Sequence, residues 1–212
     1  MIALHFPVGP LGCNCSVLGD EATGEAIVVD GGDDVERIVG ILEEHKLRPK
    51  YLVHTHAHFD HIGALGALRE RVGGEGLLHP GDRPLYAQLT EQGRWVGLPV
   101  TLAPTTLDGD LEDALVLRAG SVSLTCIHTP GHTPGSTSFA VEIDGKPRIL
   151  SGDTLFRGSV GRWDLGGTSL EDIVHSIRTR LFSYPDTTVV IPGHGPATTI
   201  GDERAGNPYL AS

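Results

Sequence analysis

Cysteine is scarce, with three residues in a chain of 212. Cys13, Cys15 and Cys126 are too few and too unevenly spaced for a disulfide framework, and no second pair accompanies Cys13 and Cys15 to build a four-cysteine zinc site. Positive charge is also short. Sixteen Lys and Arg stand against 27 Asp and Glu, a formal net charge of -11 that repels phosphate backbones and anionic membrane surfaces. Nucleic acid is therefore not an expected partner. No apolar run reaches the roughly 18 residues of a membrane-crossing helix. Met1-Ile2-Ala3-Leu4-His5 lacks the charged start and long apolar stretch of a secretory signal, so a cytoplasmic protein without a membrane partner is expected. A hydrophobic share of 39% with 20% charged residues excludes disorder and fibrous repeats. At roughly 100 to 200 residues per domain, residues 1–212 are expected to form one domain.

The sequence is rich in histidine, with 11 residues, and its glycines and prolines fall between short apolar runs. Strands are expected at Ile2 to Val8, Cys13 to Leu18 and Ala26 to Asp30, followed by a turn at Asp30-Gly31-Gly32. Asp33 with Glu36 resembles a capping box, and Val35, Ile38, Val39 and Leu42 recur at helical spacing, so a helix is expected from Asp33 to His45. Tyr51-Leu52-Val53 reads as a buried strand that runs into the polar stretch Thr55 to His61, with a helix from Ile62 to Val72. A short strand over Gly73 to Leu78 and a helix over Pro80 to Gln92 precede Gly93 to Asp113, which reads as loop. Further strands are expected at Leu115 to Leu117, Val122 to His128, Ser136 to Ile143 and Pro147 to Leu150. A helix opened by Thr168 and Glu171, and a last strand at Thr188 to Ile191, complete a mixed α/β pattern with sheets inside and helices outside.

Thr55-His56-Ala57-His58-Phe59-Asp60-His61 carries four potential metal ligands within six residues. Helical neighbours two apart point about 200° away from each other, so His56 and His58 cannot share an ion from a helix and must sit on a turn or extended loop. From there they can converge on one metal while Asp60 and His61, beyond the bend, reach a second. Three more segments offer partners beside Gly or Pro just after a strand: His132 in Thr129-Pro130-Gly131-His132-Thr133, Asp153 in Ser151-Gly152-Asp153-Thr154, and His194 in Pro192-Gly193-His194-Gly195-Pro196. His54 is expected to pack behind the motif. The remaining histidines, His5, His45, His79, His128 and His175, belong to no such constellation.

His-x-His-x-Asp-His followed by separate His, Asp and His resembles the metal-binding pattern of the metallo-β-lactamase superfamily over nearly the whole chain. The resemblance implies the αβ/βα sandwich, two mixed sheets flanked by helices. It implies that His56, His58 and His132 bind one ion, that Asp60, His61 and His194 bind the other, and that Asp153 bridges them. Within the superfamily the finer resemblance is to glyoxalase II-like hydrolases, particularly short single-domain bacterial members. It rests on Ser151 to Phe156 with Gly158 to Arg162, on Pro192 to Pro196, and on the tail Gly201 to Tyr209.

That resemblance implies hydrolysis of a thioester such as S-lactoylglutathione by a metal-bridging hydroxide, with Asp60 orienting the hydroxide as well as binding metal. Two divalent ions are implied, zinc first, with iron or manganese also compatible with a His and carboxylate site. The resemblance to two-domain glyoxalase II does not extend to the C-terminal helical domain that grips glutathione there, and no such domain is expected within these 212 residues. Gly161-Arg162-Trp163-Asp164 stands where those enzymes present lysine and aromatic residues, so Arg162 is a candidate contact for a substrate carboxylate, and a salt bridge to Asp164 is the competing role. The alternatives are a mononuclear-iron persulfide dioxygenase, a lactonase or β-lactamase on the same fold, and a metal-stabilised module without turnover. Cys13 and Cys15 are expected to be buried free thiols.

Overall fold

The computed structural model describes residues 1–95, 102–164 and 167–210. One six-stranded sheet holds β1 (Ile2–Val8), β2 (Cys13–Gly19), β3 (Glu25–Val29), β4 (Arg48–Val53), β5 (Glu75–Leu78) and β6 (Gly109–Asp110), in that order. β1 to β3 pair antiparallel, and β3 to β6 run parallel. α1 (Val35–Glu44), α2 (Phe59–Ile62), α3 (Leu65–Val72), α4 (Arg83–Ala87) and α5 (Leu89–Trp95) belong to this half. The second half contains β7 (Val116–Ala119), β8 (Val122–His128), β9 (Thr137–Ile143), β10 (Lys146–Gly152), the hairpin β11 (Leu155–Phe156) and β12 (Ser159–Val160), α6 (Leu170–Thr179), β13 (Val189–Pro192), β14 (Thr198–Thr199) and α7 (Ile200–Gly206). Its six-stranded sheet has the order β14-β13-β10-β9-β8-β7. Two mixed sheets flanked by helices therefore form the expected α/β sandwich.

Alternation along each strand supplies the layers, because successive side chains leave opposite faces of a sheet. Leu52 joins the apolar layer beneath α1 and α3, whereas Val53 joins the layer between the sheets. Ile149 and Val190 pack with Ile173 and Ile177 of α6, whereas Leu150 and Ile191 turn inward toward Phe139 and Leu124. The buried apolar area in these three layers is the main source of stability, at roughly 1.5–3 kcal/mol per fully buried large aliphatic side chain.

Local details differ from the sequence reading. α1 begins at Val35 behind Asp34, which is left-handed at φ 49° and makes no side-chain cap. Asp34 instead accepts from the Gly9 amide, tying the turn to the first hairpin. The capping box of α6 lies one residue later than expected, with Ser169 and Asp172 satisfying each other's backbone amides. The helix expected over Pro80 to Gln92 is a short 3-10 turn at Pro80–Asp82 followed by α4 and α5. Within Gly93 to Asp113, α5 continues to Trp95 and β6 pairs with β5, while residues 96–101 lie outside the described residues. A two-residue strand has too little periodicity to be read from sequence. No helix of the described residues is long and apolar enough to cross a membrane.

The topology brings the ligand-bearing segments to one rim. β10 runs parallel to β13, and β8 points the same way because β9 is antiparallel to both neighbours. Their C-terminal ends therefore emerge together, ahead of His132, Asp153 and His194. The end of β4 joins them through the Thr137 amide, which donates to the Thr55 carbonyl at 2.8 Å across the two sheets.

Candidate metal centre

All seven ligand candidates from the sequence meet at this rim. His58 Nδ1 lies 3.0 Å from both His56 Nε2 and His132 Nε2. His194 Nε2 lies 3.2 Å from His61 Nε2 and 3.1 Å from Asp60 Oδ2. Asp153 stands between the groups: Oδ2 is 3.6 Å from His132 Nε2, and Oδ1 is 3.5 Å from His61 Nε2 and 3.8 Å from His194 Nε2. His56, His58 and His132 form one set whose ligand atoms are close enough for an ion, and Asp60, His61 and His194 form another.

The far side of each ring shows what the near nitrogen carries. His132 Nδ1 donates to the Arg162 carbonyl at 2.8 Å, and His194 Nδ1 donates to the Leu11 carbonyl at 3.1 Å. His61 Nδ1 donates to Asp30 Oδ2 at 3.0 Å. Thr55 Oγ1 gives its proton to Asp30 at 2.7 Å and so accepts from His56 Nδ1 at 3.0 Å. A neutral imidazole with a hydrogen on Nδ1 presents a bare lone pair on Nε2. In their neutral forms His61 and His194 aim lone pairs at each other, a contact that only an added proton or a metal ion relieves, and a hydrogen on His58 could satisfy only one of its two neighbours. Asp153 Oδ1 is a buried carboxylate oxygen with no hydrogen-bond partner among the described residues. Such an arrangement is costly without a cation, and imidazoles backed by carbonyls and carboxylates are the usual surroundings of a bound metal. The residues present fit the metal ions that the sequence implied.

Electrostatics agree. Burial, reinforced by the neighbouring imidazoles, holds His56 well below the usual histidine range and His58 at about 3. Burial likewise lowers His132 to about 4. Burial opposes charge at His61 and His194, but Cys13, Asp153, Asp30 and Asp60 around His61, and Asp60 and Asp153 around His194, outweigh it and raise both. Burial works against charge on Asp60 too, yet the surrounding histidines keep its carboxyl well below the usual range. The centre therefore favours added positive charge on the Asp60 side and keeps lone pairs free on the other.

Backbone shape makes room for this. A Cβ on Gly193 would fall 2.2 Å from Asp153 Oδ1 and 2.7 Å from His61 Cε1, so glycine alone lets the last loop pass the carboxylate. Asn14, between the two cysteines, donates from Nδ2 to the carbonyls of Pro192 at 2.8 Å and Gly195 at 3.0 Å, bracketing His194. Cys13 and Cys15 are buried free thiols, and Cys13 Sγ lies 3.4 Å from His61 Nδ1. His54 is buried and bonds through Nδ1 to the His61 carbonyl at 2.9 Å, as expected of a residue behind the motif. Arg162 is exposed and forks onto Asp164 at 2.9 and 3.0 Å.

The sequence reading missed Asp30, Asn14, Asp82 and Gln92. Asp30 was visible only as part of a turn; its φ of 54° and its three bonds to Thr55 and His61 require the folded chain.

A family model for the metallo-beta-lactamase superfamily matches residues 8–194. The hydroxyacylglutathione hydrolase GloC of Haemophilus influenzae is 36% identical over 215 residues, covering 98% of this chain and 97% of that protein. Among solved structures, BLEG-1 B3 metallo-beta-lactamase superposes with a TM-score of 0.89 at 35% identity, covering 100% of both chains. TTHA1623 in a di-iron-bound form gives 0.83 at 36% identity, covering 99% of this chain and 100% of that one.

Proposed function

The chain belongs to the metallo-beta-lactamase superfamily, and from that membership we propose that it is a two-metal hydrolase of glyoxalase II type, cleaving hydroxyacyl thioesters of glutathione or a similar thiol in the cytoplasm. The observation that carries the reading is the pair of converging clusters with Asp153 between them, in a chain alike over nearly its whole length to a hydroxyacylglutathione hydrolase. In this reading His56, His58 and His132 hold one ion, Asp60, His61 and His194 the other, and Asp153 serves both. Zinc suits the donor set, and iron is supported by the di-iron form of TTHA1623.

Divalent ions held there would polarise a thioester carbonyl and lower the pKa of bound water from about 15.7 to about 7. The protein's own groups do the rest. Asp60 Oδ2, beside His194, orients the attacking water and accepts its proton. Asp153, His61 and His132 fix the spacing within which the carbonyl must fit. A thiolate leaves without a strong acid, because a thiol pKa is about 8.5. Arg162 would exchange Asp164 for a substrate carboxylate, a switch that its exposure permits.

Metal content per chain and S-lactoylglutathione hydrolysis, measured on one preparation, test this reading. Close to two ions with thioester turnover is the expected result; one iron with oxygen consumption on glutathione persulfide and no thioester cleavage would overturn it. The similarity to BLEG-1 favours a second reading, β-lactam hydrolysis, which a chromogenic cephalosporin assayed in the same preparation separates.

Removing the ions should also loosen the fold. Metal at a thousandfold excess over its Kd stabilises by about 4 kcal/mol, which for a chain of this size is about 8–16 °C in Tm. Calorimetry before and after chelation checks this, and an unchanged Tm would count against a pre-formed metal centre.

A further inference from the structure

Resting on the two-metal reading, we propose that Asp82 is a positioning residue that aims the His56, His58 and His132 imidazoles by clamping the backbones that carry them, with Gln92 as its partner on the other side. Asp82 ends the 3-10 turn after β5 and is fully buried. Its Oδ2 accepts from the Ala57 amide at 2.9 Å and from the Thr133 hydroxyl at 2.8 Å; its Oδ1 accepts from the Gly135 amide at 2.7 Å. Ala57 separates His56 from His58, and Thr133 follows His132. One carboxylate thus joins the two segments that supply all three imidazoles of the set.

The clamp has a second jaw. Gln92 Oε1 accepts from the Phe59 amide at 2.9 Å, and its Nε2 donates to the carbonyls of Ala57 at 2.9 Å and Leu85 at 3.0 Å. Both polar backbone groups of Ala57 are therefore held by buried side chains. A Cβ on Gly135 would lie 2.7 Å from Asp82 Cγ, so glycine is what lets this backbone come up against the carboxylate.

His58 explains why a backbone clamp is needed. His56 and His132 are each aimed from behind by an acceptor, Thr55 and the Arg162 carbonyl. His58 meets its neighbours through Nδ1, and its Nε2 makes no protein hydrogen bond among the described residues. Its ring is not steered from the far side, so its direction comes from the main chain, which Asp82 and Gln92 fix at Ala57 and Phe59. A carboxylate is required, because Asn in its place would turn an NH2 group toward one of the amide donors.

The test compares Asp82→Asn and Gln92→Met with Glu203→Gln. Glu203 is also a buried carboxylate accepting three bonds, but from Gly158, Thr198 and Asn207, outside the ligand segments. Cobalt is titrated into metal-free protein against a competing chelator and read by its visible absorption, with Tm measured on the same metal-free samples. Outer partners of metal ligands are typically worth roughly 10–100-fold in affinity. Asp82→Asn should weaken the first cobalt equivalent by at least about tenfold, a scale set by such partners, and alter its absorption bands. Glu203→Gln should lose Tm yet bind cobalt as the unaltered protein does. Wild-type cobalt affinity in Asp82→Asn, whatever its Tm, overturns the proposal. If that variant does not fold, Gln92→Met decides, with several-fold weaker binding expected and unchanged binding overturning. Failure of the unaltered protein to bind cobalt would instead remove the two-metal reading on which the clamp rests.

Discussion

Asp60→Asn lowers kcat for S-lactoylglutathione by about a hundredfold to ten-thousandfold, the range in which a positioned proton acceptor contributes, while metal content stays close to that of the unaltered protein. The two halves of this expectation come from different atoms of one side chain. Asn keeps the shape and one oxygen of Asp60, so the group beside His194 Nε2, now at 3.1 Å, still offers a ligand atom. It loses the negative charge that keeps a water oriented and takes its proton. Its charge suits Asp60 to orient the water, whereas a carboxyl held so low is a weak base that takes the proton only in passing. Opposing its burial, His61 and His194 hold the carboxyl well below the usual range, so it is ionised throughout the neutral region. Steady-state kinetics and metal analysis on the same preparation decide the matter. A variant with full metal and an unchanged rate would show that Asp60 is a ligand only. A variant that loses both metal and rate would leave the acceptor role without support and send the test to kcat at saturating metal.

The sequence made the ligands legible because their chemistry is local. His56, His58, Asp60 and His61 are within one short segment, and His132, Asp153 and His194 each sit beside glycine after a strand. The two sheets were legible for a similar reason, since Val28 against Val29 and Ile149 against Leu150 alternate between layers at a period of two. What holds the ligands was not legible, because it is long-range. Asp30 reaches Thr55 across 25 residues, Asp82 reaches Gly135 across 53, and Asn14 reaches Gly195 across 181. No periodicity or spacing connects such positions. The Cys13-Asn14-Cys15 segment illustrates the difference: its cysteines are buried free thiols, as their residue type suggests, whereas the role of the asparagine between them, which brackets the His194 loop, shows only in the folded chain.

Asp30→Ala should cost more stability than any change at the ligands themselves, about 3–5 kcal/mol on the scale of breaking a buried charged pair. Asp30 is 2% exposed and accepts three bonds: from the Thr55 amide and hydroxyl, both at 2.7 Å, and from His61 Nδ1 at 3.0 Å. Alanine leaves all three donors buried without an acceptor, and each carries its own desolvation cost. It must also adopt the φ of 54° that aspartate or asparagine tolerates better. At about 2–4 °C per kcal/mol for a chain of this size, the loss is about 6–20 °C in Tm. A functional loss follows from the same bond. With Asp30 gone, His61 Nδ1 keeps only the longer contacts to Cys13 Sγ and Thr55 Oγ1, both at 3.4 Å, and the tautomer that leaves Nε2 bare toward His194 and Asp153 is less favoured. Metal should then fall first in the pocket of Asp60, His61 and His194, leaving close to one ion per chain. Asp30→Asn keeps one acceptor and the backbone shape, so it should fold with a smaller drop and still bind the second ion weakly. Calorimetry with metal analysis on both variants tests the argument. Two full equivalents of metal in either, at the unaltered protein's Tm, would show that Thr55 and the surrounding packing aim His61 without the carboxylate.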